Sequence, residues 1–420
     1  MKINLSYPGA GVLAGVLLLL SGCGGPAAGP ADRAAPRTVT IASDLPLQGG
    51  AKQISLETNQ AMELYLEQVK HQAGDFTVAL RAYDDATSTR GGWDDETCVK
   101  NAHDHLVSEE VAVMGTFNSG CARLMVPVMN AVVDGPLLMV SHANSNPGLT
   151  KAWGYHEPEK FYPTKARSFA RVAASDDQYS TASASFLAGT LHRKRCYVLD
   201  DGQVYGKGLA KAFIAAAGKQ GIRVLGQRTW DLGKDSYVPL FEQIKKQDPD
   251  CVVAAGDYEN KGKQLILDKA AVLGGNGRVT LMAPGFAGYP ELAGLAQAEG
   301  MYLAFGGLSL DQMTAQSPAA ASFVAAFKAR HGAAPTSAYQ LYSVAALQVI
   351  LQAIASSDGT RAGVNQAVLG SADLTVPADR SITGAPLTIN HATGDLTSST
   401  ITVLRVHGGR ETYLSSMQVS

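Results

Sequence analysis

Charge is scarce in this 420-residue chain and neither sign dominates, with 35 Lys and Arg against 37 Asp and Glu and a charged fraction of 17% where about a quarter is usual. The missing basic excess excludes electrostatic binding of nucleic acid or of an anionic membrane surface. A hydrophobic content of 46% excludes a disordered chain. Beyond the first 22 residues no apolar run approaches the roughly 20 residues of a membrane-spanning helix. Catalytic signatures are missing too: there is no G-x-S-x-G elbow, no H-E-x-x-H and no phosphate-binding loop, which leaves an enzyme little support. No cofactor or metal is called for. His103 and His105 are the only histidine cluster, and two residues apart on a helix they face different ways.

What is present begins with an export signal. Lys2 precedes the apolar run Val12 to Leu20, too short to span a bilayer as a folded helix. The run ends in Leu20-Ser21-Gly22-Cys23, which resembles the bacterial lipobox, so Cys23 is the expected lipidation site after removal of residues 1–22. Residues 23–37, rich in Gly, Ala and Pro, read as a flexible tether. Four cysteines remain, Cys98, Cys121, Cys196 and Cys251, an even number for an oxidising compartment. Cys196 and Cys251 each open a short apolar run, and if those runs are neighbouring parallel strands the two thiols lie level. Buried free thiols are the other reading.

From Thr38 short apolar runs alternate with longer amphipathic ones, the pattern of a helix-covered parallel sheet. The alternation occurs twice. The first series predicts strands near Val39–Ala42, Thr77–Ala82, Val111–Met114 and Leu137–Val140, with helices around 57–71, 95–107 and 121–133. The second predicts strands near Cys196–Leu199, Arg223–Leu225, Cys251–Ala255 and Thr280–Met282, with helices around 165–190, 206–219, 236–247 and 260–273. A strand at Met301–Ala304, helices near 318–330 and 338–355 and a strand-like tail follow. In such α/β units the ligand lies at the carboxyl ends of the strands, so the loops there carry the function.

Those loops are polar. Gly115-Thr116-Phe117-Asn118-Ser119-Gly120 runs straight into a helix, whose free N–H groups and Ser119 hydroxyl suit an anion such as a carboxylate. Equally, Asn118 or Ser119 can simply cap that helix. Ser141 through Pro147 forms a polar turn on the same edge. On the matching edge of the second series stand Asp200 through Gly206, Gly256-Asp257-Tyr258 and Ala283-Pro284-Gly285-Phe286. Two tyrosines and an acid opposite a set of donors suit a small zwitterion.

In these loops the sequence resembles the bacterial solute-binding proteins of branched-chain amino acid uptake, the leucine/isoleucine/valine-binding type with the type I periplasmic-binding fold. The resemblance rests on Pro46-Leu47 with Gly49, Tyr83-Asp84-Asp85, Gly115 through Gly120 and Ser141 through Thr150. It continues through Asp200-Asp201, Tyr205 through Gly208, Pro249-Asp250, Thr383-Gly384 and Gly394-Asp395. It implies two doubly wound parallel-sheet lobes joined by three crossovers, with 38–163 and 306–372 in the first lobe and 164–305 and 373–420 in the second. It also implies a monomer that closes on a small-molecule ligand and delivers it to an ABC permease. By the same resemblance Ser119 and Gly120 hold the ligand carboxylate, Ala143, Asn144 and Ser145 add contacts, Ile54 lines the ligand side chain, and Tyr205, Asp257 and Tyr258 reach from the opposite lobe. Gly285 departs from the pattern, because amino-acid binders carry an acid there for the ligand ammonium. Either Asp257 supplies the missing charge or the ligand has no ammonium. The insertion Thr87 to Trp93 is a second departure, with Trp93 either on the cleft rim or anchoring a surface loop. A sensory lipoprotein reporting to a receptor is an alternative with the same cleft, and a hydrolase a more distant one.

Overall fold

The computed structural model describes residues 37–419 apart from 91 and 133, so the expected signal peptide, Cys23 and nearly all of the tether lie outside the described residues. Strands β1 (Arg37–Leu45), β2 (Gln72–Ala73) and β3 (Phe76–Asp84) begin the first sheet, and a two-stranded ribbon follows, β4 (Ala86–Thr87) with β5 (Gly92–Trp93). The sheet is completed by β6 (Glu110–Gly115), β7 (Leu138–Ser141) and β8 (Phe169–Arg171), in the order β2-β3-β1-β6-β7-β8. Its strands are parallel except β2.

The second sheet holds β9 (Arg195–Asp200), β10 (Arg223–Thr229), β11 (Cys251–Ala255), β12 (Thr280–Ala283) and β13 (Tyr302–Phe305). After a small hairpin, β14 (Leu374–Val376) with β15 (Leu387–Ile389), the chain adds β16 (Ser399–His407) and β17 (Arg410–Val419) antiparallel at its edge. The order is β10-β9-β11-β12-β13-β16-β17. Both sheets therefore reverse direction after their first parallel strand, between β1 and β6 and between β9 and β11. In a doubly wound sheet the crevice opens at that reversal.

Helices α1 (Lys52–Gln68), α2 (Asp95–Val107) and α3 (Ser119–Asn130) connect the first sheet's strands. Helix α4 (Asp176–Ser185) leads to the second sheet, where α5 (Val204–Lys219), α6 (Val238–Lys245) and α7 (Gly262–Leu273) lie between strands. After the short α8 (Pro290–Ala293) come α9 (Leu310–Gln316), α10 (Pro318–His331), α11 (Tyr339–Ala355) and α12 (Arg361–Leu369). Helix α11 is buried on every side but for a few positions and packs on α1, α12, β6 and β7 of the first sheet. That explains its near-continuous apolar sequence. The chain thus passes between the sheets three times: after β8, after β13 and before β16.

The strands fall close to the expected runs, with several differences. The stretch 165–190, expected as one helix, contains β8 before α4, and β8 belongs to the first sheet although 164 onward was assigned to the second lobe. The hairpin β14–β15 packs on α11 and α12, away from the second sheet. Helix α12 and the ribbon β4–β5 were not foreseen. Cys196 and Cys251 are paired neighbours in β9 and β11 and form a disulfide, with Cα atoms 4.5 Å apart. Cys98 and Cys121 join α2 to α3 in a second disulfide. Two disulfides suit an oxidising compartment.

Candidate functional site

The two reversal points face each other, and the loops after β6 and β11 meet there. Asn118 is the N-cap of α3: its Oδ1 accepts the Gly120 N–H at 2.7 Å, while its Nδ2 donates to Asp257 Oδ2 in the other sheet at 3.0 Å. Capping and site formation thus fall to one side chain. Ser119 Oγ accepts the backbone N–H groups of Ser145 and Asn146, each at 3.2 Å. This leaves its hydroxyl hydrogen to donate to a ligand oxygen.

The turn after β7 is held from within. Ser141 Oγ accepts the N–H groups of Ala143 and Asn144 at 3.2 and 2.9 Å, so with Ser119 the turn's backbone donors are already engaged. Below it the fully buried Arg171 donates to the carbonyls of Asn144 and Asn146 and to the Thr150 hydroxyl, and pairs with Asp395 at 2.7 Å. The Gly394-Asp395 motif therefore fixes this turn from a distant part of the chain.

On the opposite side Asp201 orders two loops at once, accepting the N–H groups of Gln203 and Asp257 and the Asn260 amide at 2.8–3.1 Å. Asp200 is taken up by Gly202, Gln227 and Thr229. The acid pair is thus scaffold, and Asp257 is the acid that lines the cleft. Burial pushes the Asp257 carboxyl far above the usual range, the charges of Asp201, Glu259 and Asp176 add to this, and Asn118 pulls weakly the other way. Asp176, at the first turn of α4, is fully buried with neither oxygen hydrogen-bonded, and burial raises it to about 7. Glu259 Oε2 is also buried without a partner, and burial with the Asp201 charge raises that carboxyl to about 7.

Gly285 lines the same cavity, and its departure from the family pattern has a steric cause. A Cβ there would lie 2.3 Å from the Gly256 carbonyl oxygen and 2.6 Å from the Tyr205 hydroxyl, so an acidic side chain cannot occupy this position without moving backbone.

Of the expected residues, Ser119, Ala143, Ser145, Tyr205, Asp257 and Gly285 line one cavity. Gly120 and Asn144 support it from behind. Ile54 does not reach it: the side chain is buried in α1, and its carbonyl accepts from Thr58 and Gln340. Tyr258 also stays outside the lining, its ring packed against Phe286 and Tyr289 with centroids 5.7 and 5.1 Å away. The residues that sequence reasoning missed are aromatic: Phe117, Tyr179, Tyr289 and Tyr339 complete the lining. His142 backs this cage, its ring against Phe117 and Tyr339, and burial lowers it to about 3, so it is neutral. Tyr179 and Tyr339 come from crossover segments that no strand-end rule singles out.

The cavity measures about 30 Å³, room for about two waters. A second cavity of about 130 Å³ adjoins it, sharing Asp257. A larger one, about 250 Å³, lies beside Gly288, Ser337 and Glu411 and shares none of the cleft's lining. Convergence of both reversal points, not size, identifies the site.

Two sheets of like winding, three crossovers and a cleft where both reversals meet define a two-lobed binding protein. The periplasmic binding protein family model matches residues 38–407, and the chain belongs to that family. A Leu/Ile/Val-binding protein of Rhizobium johnstonii is 25% identical over 247 residues, 57% of this chain and 61% of the relative, so the match spans under two thirds of that protein. A Leu/Ile/Val-binding protein homolog of Brucella melitensis is 25% identical over 400 residues, 90% of this chain and 94% of the relative. Among solved structures, a solute-binding protein of an ABC transporter from R. palustris in complex with benzoate superposes with a TM-score of 0.72 at 17% identity, covering 91% of this chain and 98% of that one. This last likeness concerns the fold alone.

Proposed function

We propose that this is an exported, lipid-anchored solute-binding protein, tethered through Cys23, that closes on a small ligand bearing an ammonium group and hands it to an ABC permease. The lobes follow the sheets: 37–171 with 310–389, and 176–305 with 399–419. The observation that carries the ligand class is Asp257, an acid in the cleft lining whose only side-chain hydrogen-bond partner among the described residues is the neutral Asn118 amide. A buried carboxylate without a cation is costly, and a ligand ammonium removes that cost. Ser119 at the start of α3 suits the ligand's carboxylate. An amino acid is the simplest compound with both groups.

The relatives named for leucine, isoleucine and valine support this reading. The aromatic lining favours a second, an aromatic carboxylate, but the acids disfavour a ligand whose only charge is negative. Binding would proceed by selection of the closed arrangement through contacts from both lobes. A thermal-shift screen of amino acids, amines, amides and aromatic carboxylates tests the choice, since a ligand at a hundred times its Kd stabilises the native state by about 2.7 kcal/mol. Amine-bearing compounds raise Tm, and Asp257→Asn abolishes the rise. Stabilisation by benzoates alone would overturn the reading.

A further inference from the structure

The cavity beside the cleft is lined from both lobes, by Arg90 and Trp93 of the insertion on one side and by Asp257, Glu259 and Asn260 on the other. It holds about 130 Å³ against about 30 Å³ in the aromatic cage, so most of the free space around Asp257 lies on this side. Two acids face it. Glu259 is oriented by the Ala51 N–H, and its Cβ sits where a side chain on Gly50 would have to go, yet Oε2 remains buried with no partner. The one cation in the lining, Arg90, is turned away from Glu259: its guanidinium lies over the Trp93 ring, 5.2 Å from the centroid, and its ion-pair contact is Asp95 at 3.9 Å. Asn260 is engaged with Asp201, so it does not satisfy Glu259 either.

We propose that this cavity is a second subsite of the cleft that takes a cationic extension of the ligand, so that the ligand is a dibasic amine, its first ammonium on Asp257 and its second on Glu259. The inference rests on the function proposed above and narrows it. The Trp93 ring forms the wall opposite the acids, and aromatic faces attract cations. The insertion 87–93 is then a specificity element. Arg90 opposes the incoming charge and sets how strongly the subsite favours it.

Titration calorimetry with L-norleucine, L-lysine, L-ornithine and L-arginine tests this, since norleucine and lysine differ in the terminal ammonium. At least one dibasic compound binds the wild-type protein about tenfold or more tightly than norleucine, the range of a charged hydrogen bond in a buried site. Glu259→Gln removes that preference and leaves norleucine within about twofold. Arg90→Ala, in the exposed turn between β4 and β5 where folding is not at stake, strengthens dibasic binding; if it weakens it, the subsite takes a ligand carboxylate and the inference fails. Norleucine binding as well as every dibasic compound would overturn the subsite while leaving the ammonium reading intact. Binding of none of the four, with aromatic carboxylates bound instead, would overturn both.

Discussion

Two groups of buried acids in this protein are treated in opposite ways. In the first lobe Asp44 and Glu110 flank the fully buried His105, with Nε2 3.1 Å from Asp44 and Nδ1 2.5 Å from Glu110, while Asn101, Tyr83 and Ser108 occupy the remaining oxygens. Burial works against charge on His105, but the bonds to Asp44 and Glu110 outweigh it and raise the imidazole to about 9. Burial likewise works to raise Glu110, and His105 holds it below the usual range. Asp44 stays raised because burial exceeds what His105 returns. In the cleft, by contrast, Asp257 and Glu259 have no ion-pair partner among the described residues, and behind it Asp176 is only weakly offset by Arg171 and Lys151; burial raises all three carboxyls. The protein therefore can pair a buried acid where only structure is at stake. Asp85, beside Asp44, is also buried with neither oxygen bonded, so the contrast sets His105 and its two acids against Asp257 and Glu259, whose partner under the proposed function is the ligand.

The contrast can be broken at several points. His105→Gln leaves buried Asp44 without its cation and Glu110 with only the exposed Arg81 at 3.5 Å, and costs about 3–5 kcal/mol in a denaturant titration, with ligand affinity of the folded protein unchanged. The raised imidazole also makes stability pH-dependent. Its contribution is complete below the unfolded value of about 6.5 and is lost as pH rises through about 9, a slope that the variant lacks. Asp176 gives a slope of the same sign in a more acidic window. Its raised carboxyl binds a proton that the unfolded chain releases near pH 4, so stability falls as pH climbs from there to about 7, by about 2–4 kcal/mol; Asp176→Asn flattens that fall in melts at pH 5 and pH 8.

Ser119→Ala strands two backbone N–H groups, lowering stability by about 1–2 kcal/mol and weakening the ligand in calorimetry. Tyr258→Phe has the smallest effect: the hydroxyl has no partner, so stability and affinity stay within about 0.5 kcal/mol, whereas a direct ligand contact would cost more.

The strands were legible because each is a run of four or five apolar residues between polar turns, and the level placement of Cys196 and Cys251 followed from that spacing. The stretch 165–190 misled because it is rich in Ala and Ser with little periodicity, and β8 within it is three residues fixed by β7 and by the Arg171–Asp395 pair, 224 positions apart. The cleft was half legible. Ser119, Ser145 and Asp257 stand at strand ends where topology sends ligands, but Tyr179 and Tyr339 arrive through crossovers, and nothing in their spacing marks them. Ile54 came from family resemblance alone and Tyr258 from its strand-end loop as well as the resemblance, and both sit in packing positions here. Gly285 was legible as a departure, while its cause, the nearness of the Gly256 carbonyl, needed coordinates.

Proton release on binding tests the central claim most directly. Burial raises the Asp257 carboxyl well above the usual range in the unliganded cleft, and a ligand ammonium favours its ionised form. Calorimetry of an amine-bearing ligand in buffers of different ionisation enthalpy, repeated from acid to neutral pH, therefore shows proton release on binding that Asp257→Asn lacks. Binding without proton release, or release that survives in Asp257→Asn, would contradict the account.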